Sequence, residues 1–285
     1  MELLIEVIKS VILGIVEGAT EFLPVSSTGH LIIFQNLINF SSETESYVEM
    51  YTYVIQLGAI LAVIYLYRDK ILKTLRDFSP KKKGFEKSGL RFWLIIVLAC
   101  IPGGIATLFL DDLAEKYLFN PKAVSVILIL GAIFMIVAEN SLRPDKGDEN
   151  EPMILSVKQA LTVGLFQCLA IMPGMSRSAS TIIGGWFAGL SSVVAAEFSF
   201  FLAIPVMIGM SALKIFKLGG FSVMNGTEII TLIVGFVVSF IVALIVIERF
   251  ISYLKRKPMR AFAIYRIIFG FIVFGTAAAG LITKM

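Results

Sequence analysis

Apolar runs long enough to cross a bilayer recur six times in this chain, at about 46–67, 92–110, 121–139, 194–216, 228–248 and 261–282. A spanning helix needs roughly 20 such residues. Two further apolar regions, 3–38 and 156–190, are each broken by a polar island. The first island runs from Glu17 through Glu21, Pro24, Ser26, Ser27 and Thr28 to His30, and the second from Pro173 through Gly174, Ser176, Arg177 and Ser178 to Thr181. Ionisable groups at membrane depth are costly, so both islands read as functional. The 285 residues are 57% hydrophobic and 16% charged, too apolar for a soluble domain of that length. The pattern predicts an all-α, multi-pass integral membrane protein.

Charge placement orients it. Loop 68–91 carries Arg68, Lys70, Lys73, Arg76, Lys81, Lys82, Lys83, Lys87 and Arg91, and loop 249–260 carries Arg249, Lys255, Arg256, Lys257 and Arg260. The positive-inside rule puts both in the cytoplasm. Loops 36–48, 111–122 and 214–228 are poor in lysine and arginine and belong outside. These assignments alternate correctly only if region 156–190 starts and ends on the same side, as a re-entrant helix pair does. Gly18, Pro24 and Gly29 suggest the same broken form for region 3–38, with both chain termini outside. The net charge of +4 is thus a topology signal, and no nucleic-acid partner is expected. The N-terminus lacks a cleavage site after a short apolar core, so no removable signal peptide is expected. Cys100 and Cys168 lie apart, without metal-ligand spacing, and read as packing residues.

The halves echo each other. Pro24 to Ser27 aligns with Pro173 to Ser176 at an offset of 149, and Glu49 and Tyr53 align with Glu197 and Phe201 at 148. One re-entrant pair and three spans per half is an odd number of crossings. The expectation is a single membrane domain, 1–285, built as an inverted repeat of halves at about 1–140 and 150–285, with six transmembrane helices and two re-entrant helix pairs. In such architectures the breaks mark the binding site.

The islands hold the parts of a site for a phosphorylated substrate. Glu17 and Glu21 are four apart, neighbours on one helix face. Like charges there call for something positive between them, and a hard divalent cation with substrate phosphate completing its shell suits. Pro24 before Ser26 and Ser27 is how a helix start is written, and its free N–H groups favour a phosphate. Ser27 and His30 share a face. A serine nucleophile needs a base, and His30 or Glu21 could serve. We favour Ser27 as nucleophile, with attack by His30 itself as the rival. Arg177 can fork onto phosphate oxygens and neutralise charge during transfer, although Glu197 is a candidate structural partner for it. Glu49 and Glu197 are expected to buttress the two helix pairs. Glu139, Glu248 and Arg249 are expected at the interfaces, and Gly103, Gly104, Gly131, Gly184 and Gly185 at close helix contacts.

Both motifs, and the chain end to end, closely resemble the bacterial undecaprenyl-diphosphatase family, known for bacitracin resistance. The resemblance implies a cell-membrane hydrolase that removes the terminal phosphate of a C55 polyprenyl diphosphate and so recycles the lipid carrier for cell-wall synthesis. It also implies stimulation by Mg2+ or Ca2+, which Glu17 and Glu21 would hold. Catalysis then falls to Ser27, His30, Glu21, Glu17 and Arg177. Substrate binding falls to Ser26, Thr28, Gly174, Ser176, Arg177, Ser178 and Thr181. The expected partners are the polyprenyl diphosphate and membrane lipids, with room for a homodimer, and the site is expected to face the outer side. A flippase or transporter for the lipid phosphate is the alternative, since broken helices in inverted repeats are common in transporters.

Overall fold

Backbone polar groups in a bilayer must be satisfied locally, and this chain does so with helices. The computed structural model describes residues 1–40, 46–81, 84–144 and 153–282. Lys82 and Lys83 of the basic loop lie outside them, as do parts of loops 36–48 and 139–158. The described residues form α1 (Glu2–Thr20), α2 (Ser27–Leu37), α3 (Tyr47–Leu66), α4 (Arg68–Arg76), α5 (Gly89–Leu118), α6 (Pro121–Leu142), α7 (Val157–Gln167), α8 (Arg177–Phe187), α9 (Ser192–Lys217), α10 (Gly226–Leu254) and α11 (Arg260–Ala278). Six of these, α3, α5, α6, α9, α10 and α11, are long and apolar enough to cross a membrane, and they match the six apolar runs. Several starts are written locally: Ser88, Asn120, Ser156, Ser191 and Asn225 each cap a first-turn amide with a side-chain oxygen.

The broken regions fold as two helix hairpins, α1 with α2 and α7 with α8. Lys9 Nζ, in the first half of α1, donates to Asn39 O beyond the end of α2, at 2.9 Å. Gln159 Nε2 near the start of α7 donates to Ala188 O at the end of α8, at 3.2 Å. The turned ends of the hairpins meet, with Ser178 Oγ donating to Leu23 O at 2.9 Å. Around them α1 packs along α10, α7 along α5, α3 against α9 and α10, and α6 against α11.

The α1–α10 contact has almost no space between backbones. A Cβ on Gly14 would lie 2.7 Å from Gly235 O, and one on Gly18 would lie 2.5 Å from Ser239 O. Gly14→Val is therefore expected to force the two helices apart, costing about 1–3 kcal/mol. A lowered unfolding midpoint in detergent is the measurement. Gly104→Ala is the control, because a methyl there meets nothing within 4 Å. Gly104 is thus not the packing glycine expected, whereas Gly103 abuts Gln167, Gly184 abuts Phe166 and Gly185 abuts Ala195.

Charged residues in the spans differ from expectation in their partners. Glu197 pairs with Lys70 at 2.8 Å and Glu49 with Lys214 at 3.5 Å. These pairs link the start of α9 to α4, and the start of α3 to the end of α9, instead of bracing the hairpins. Glu139 is buried in the last turn of α6. It accepts from Met259 N at 2.6 Å, just ahead of α11, and pairs with Arg143 at 3.2 Å.

Candidate active site

The first hairpin turns at Glu21 to Val25. Pro24 cannot continue a hydrogen-bonded helix, and Val25 N bonds back to Leu23 O at 2.7 Å. Ser26 then takes φ +70°, and α2 starts at Ser27. The second hairpin repeats the device with Ser176 at φ +74° just before Arg177. A non-glycine residue in the left-handed region is strained, and such strain collects at functional sites. The two starts differ in one respect. Ser176 Oγ accepts from Ala179 N at 3.3 Å, whereas Ser26 makes no side-chain cap bond. The first-turn amides of α2 therefore lack the side-chain acceptor that those of α8 possess, which suits an incoming anion.

Glu21 is the hub. Its Oε1 accepts from Arg177 Nη2 at 3.0 Å, and its Oε2 accepts a very short bond from the Ser27 hydroxyl. Arg177 also donates from Nη1 to Ser199 O at 3.0 Å, contacts Met207 Sδ at 3.6 Å and lies 5.6 Å from the centre of the Phe22 ring. Its Nε is buried without a partner. So Arg177 pairs with Glu21, not with Glu197. Glu17 sits one turn before Glu21, its carboxyl beside that of Glu21. It is 0% exposed, and neither oxygen has a hydrogen-bond partner. Two adjacent buried carboxyls, one of them unsatisfied, need a shared proton or a cation.

His30 is held elsewhere. Its Nδ1 is 2.8 Å from Ser26 O. A carbonyl only accepts, so this nitrogen carries the hydrogen. Nε2 then accepts from Tyr265 OH at 2.6 Å in the neutral ring, which stacks 3.9 Å from Phe269. Both ring nitrogens are occupied, and the Ser27 hydroxyl points to Glu21. The shared helix face predicted from the i, i+3 spacing does not bring this histidine to the serine oxygen.

The remaining expected residues surround this core. Ser178 ties the two tips through Leu23 O, and its Oγ is 3.1 Å from Ser176 Oγ. Thr181 Oγ1 bonds to Arg177 O at 2.9 Å and meets Ser199 Oγ at 2.6 Å, fixing α8 against α9. Thr28 is half-buried in the first turn of α2. Gly174, at φ +100°, passes so close to α6 that a Cβ would sit 2.8 Å from Val124 O. Sequence reasoning missed Tyr265 and Arg266 of α11, both in direct contact with the hairpins. The signal was there, since Arg266 is an ionisable residue inside the apolar run 261–282.

For a cation, Glu17 and Glu21 supply the acidic oxygens. Among the described residues no group of three or more His, Cys, Asp or Glu side chains could hold a metal by itself. A cation here would have to complete its shell with substrate phosphate and water, a donor set that hard divalent ions accept.

The family model described as bacitracin resistance protein BacA matches residues 10–272. The undecaprenyl-diphosphatase of Ruminiclostridium cellulolyticum is 60% identical over 273 residues, covering 96% of this chain and 97% of that protein. The undecaprenyl-diphosphatase of Clostridium tetani is 53% identical over 278 residues, covering 97% and 98%. Both likenesses extend through the hairpins and all six long helices, and the chain belongs to the BacA family of multi-pass membrane proteins.

Proposed function

We infer that the protein is an undecaprenyl-diphosphatase, which hydrolyses a C55 polyprenyl diphosphate to the monophosphate and inorganic phosphate. The observation that carries this is the single carboxylate of Glu21 gripping both the Ser27 hydroxyl and the Arg177 guanidinium, beside the uncapped start of α2. In this reading the terminal phosphate lies at the first-turn amides of α2 with Ser26 and Thr28. Ser176 and Ser178 lie close by across the tips. Ser27 Oγ attacks the terminal phosphorus as its proton passes to Glu21, and the bond from that phosphorus to the bridging oxygen breaks, releasing polyprenyl monophosphate. Protonation of Glu21 weakens its hold on Arg177, whose guanidinium is then available to the charge gathering on the phosphoryl oxygens. Water attacks the phosphoserine next, the proton of Glu21 returns to Ser27 Oγ, and phosphate leaves. His30 orients the start of α2 through Ser26 O. A Mg2+ or Ca2+ ion held by Glu17 and Glu21 would screen the diphosphate charge.

The test uses purified protein in detergent with the C55 diphosphate. Phosphate release is expected, with loss on adding chelator and a weakened cation response in Glu17→Gln. No release from folded protein would leave the flippase reading, which the paired hairpins favour on architectural grounds.

We also propose that the halves, about 1–140 and 150–285, form an inverted repeat whose hairpins are re-entrant. The strained serines are 150 residues apart, one more than the prolines suggest. At that same offset Gly14, against α10, corresponds to Gly164, against α5, while Glu17 corresponds to Gln167 and Ser27 to Arg177. Equivalent backbone positions would thus carry different chemistry, leaving one active site rather than two. The first hairpin opens where α3 and α10 begin, as the Ser10–Tyr51 contact of 2.8 Å and the Tyr47–Thr231 contact of 2.5 Å indicate. The second opens beside the start of α5, where Arg91 donates to Leu155 O at 2.8 Å. Together with the basic loop before α5, this favours a site reached from the outer face, where spent carrier appears. With Cys100 and Cys168 replaced, a cysteine at Leu37 should react in intact cells with a membrane-impermeant thiol reagent. Labelling only from the cytoplasmic side would reverse the orientation.

A further inference from the structure

The second arginine near the site belongs to a helix to which the chemistry assigns nothing. Arg266 lies in α11, is 0% exposed and, among the described residues, is in no ion pair. A guanidinium in that position must find acceptors, and it finds backbone. Its Nη2 donates to Gly174 O at 2.8 Å and its Nη1 reaches Pro24 O at 3.5 Å. Those carbonyls belong to the two turns that break the hairpins, where no helix supplies a donor. Pro24 is three residues before Ser27, and Gly174 is three residues before Arg177. One side chain therefore touches the chain at the same station ahead of the nucleophile on one hairpin and the phosphate-binding arginine on the other. Room for it comes from α6, where any side chain on Gly131 would collide with Nη2. The adjacent Tyr265 holds His30, which in turn holds Ser26 O, so α11 has a second grip on the start of α2.

We propose that Arg266 is a positioning residue that sets the spacing of the two hairpin tips and so aligns Arg177 with Glu21 and Ser27. This rests on the phosphatase reading above. The planar fork of arginine reaches each carbonyl from a different nitrogen, whereas lysine has one nitrogen and no fixed fork to span them. Misplacement by about 1 Å costs on the order of 10²-fold in rate.

The experiment compares phosphate release from the C55 diphosphate by the wild type, Arg266→Lys, Arg177→Ala and the double variant, all shown to be folded by gel filtration and thermal unfolding. Arg266→Lys is expected to lower kcat by about 10²-fold with KM within about twofold. In the Arg177→Ala background it should cost little more, because the alignment it serves is already lost. Gly131→Ala, which presses on Nη2 from α6, should lower kcat in the same way and covers the case in which Arg266→Lys does not fold. Normal kcat in folded Arg266→Lys or Gly131→Ala, or a fully additive loss in the double variant, would overturn the proposal. Absence of phosphate release by the wild type would instead overturn the phosphatase reading, and that outcome is separate.

Discussion

Arg177→Lys is expected to lose about 10²- to 10³-fold in kcat/KM, and to recover less than about tenfold of what Arg177→Ala loses. Charge alone cannot do what this side chain does. The guanidinium donates to Ser199 O and Glu21 at once, beside Phe22 and Met207, and still has a buried Nε without a partner. Arginine serves Ser199 O from Nη1 and Glu21 from Nη2, and an ammonium has only one nitrogen in place of that rigid fork. Removing the charge entirely in Arg177→Ala takes away both the ion pair on Glu21 and the anchor on Ser199 O. The measurement is phosphate release by detergent-solubilised variants with matched unfolding midpoints. Near-normal turnover by the lysine variant would show that a point charge suffices.

Ser27→Ala and Glu21→Gln should each reduce phosphate release by about 10³-fold or more, the scale of losing a nucleophile or its base. The reasons differ, and so do the signatures. Ser27→Ala keeps the Glu21–Arg177 pair and the amides of α2, so the lipid should still bind with an unchanged apparent affinity. Glu21→Gln can still accept from Ser27 but takes no proton, and it loses the ion pair with Arg177. A phosphoenzyme trapped by rapid acid quench is expected to be acid-stable and base-labile and to map to Ser27. Phosphate on His30 would sink the serine assignment, because that result requires the ring to leave both Ser26 O and Tyr265.

The sequence by itself determined the spans. Hydrocarbon tolerates only locally satisfied backbone, so an apolar run of the right length has one solution, and α3, α5, α6, α9, α10 and α11 lie where the runs lie. Pro24 with Ser26 and Ser27, and Gly174 with Ser176 and Arg177, likewise wrote the breaks and the new helix starts, since turn chemistry is local. What the sequence could not decide was pairing between elements far apart along the chain. The sequence offers Glu197 as the candidate partner of Arg177, but Lys70 of α4 takes Glu197, and Arg177 pairs with Glu21 across the hairpin tips. The i, i+3 spacing put His30 and Ser27 on one face, but the strained turn at Ser26 aims the ring at Ser26 O and Tyr265. Arg266 was diluted by the apolar residues around it, and its role depends on two carbonyls that are 150 positions apart in sequence and meet only when the hairpin tips do. Local hydrogen bonding and hydrophobicity act over a few residues and can be read along the chain, whereas the partners of buried charges are set by which helices touch.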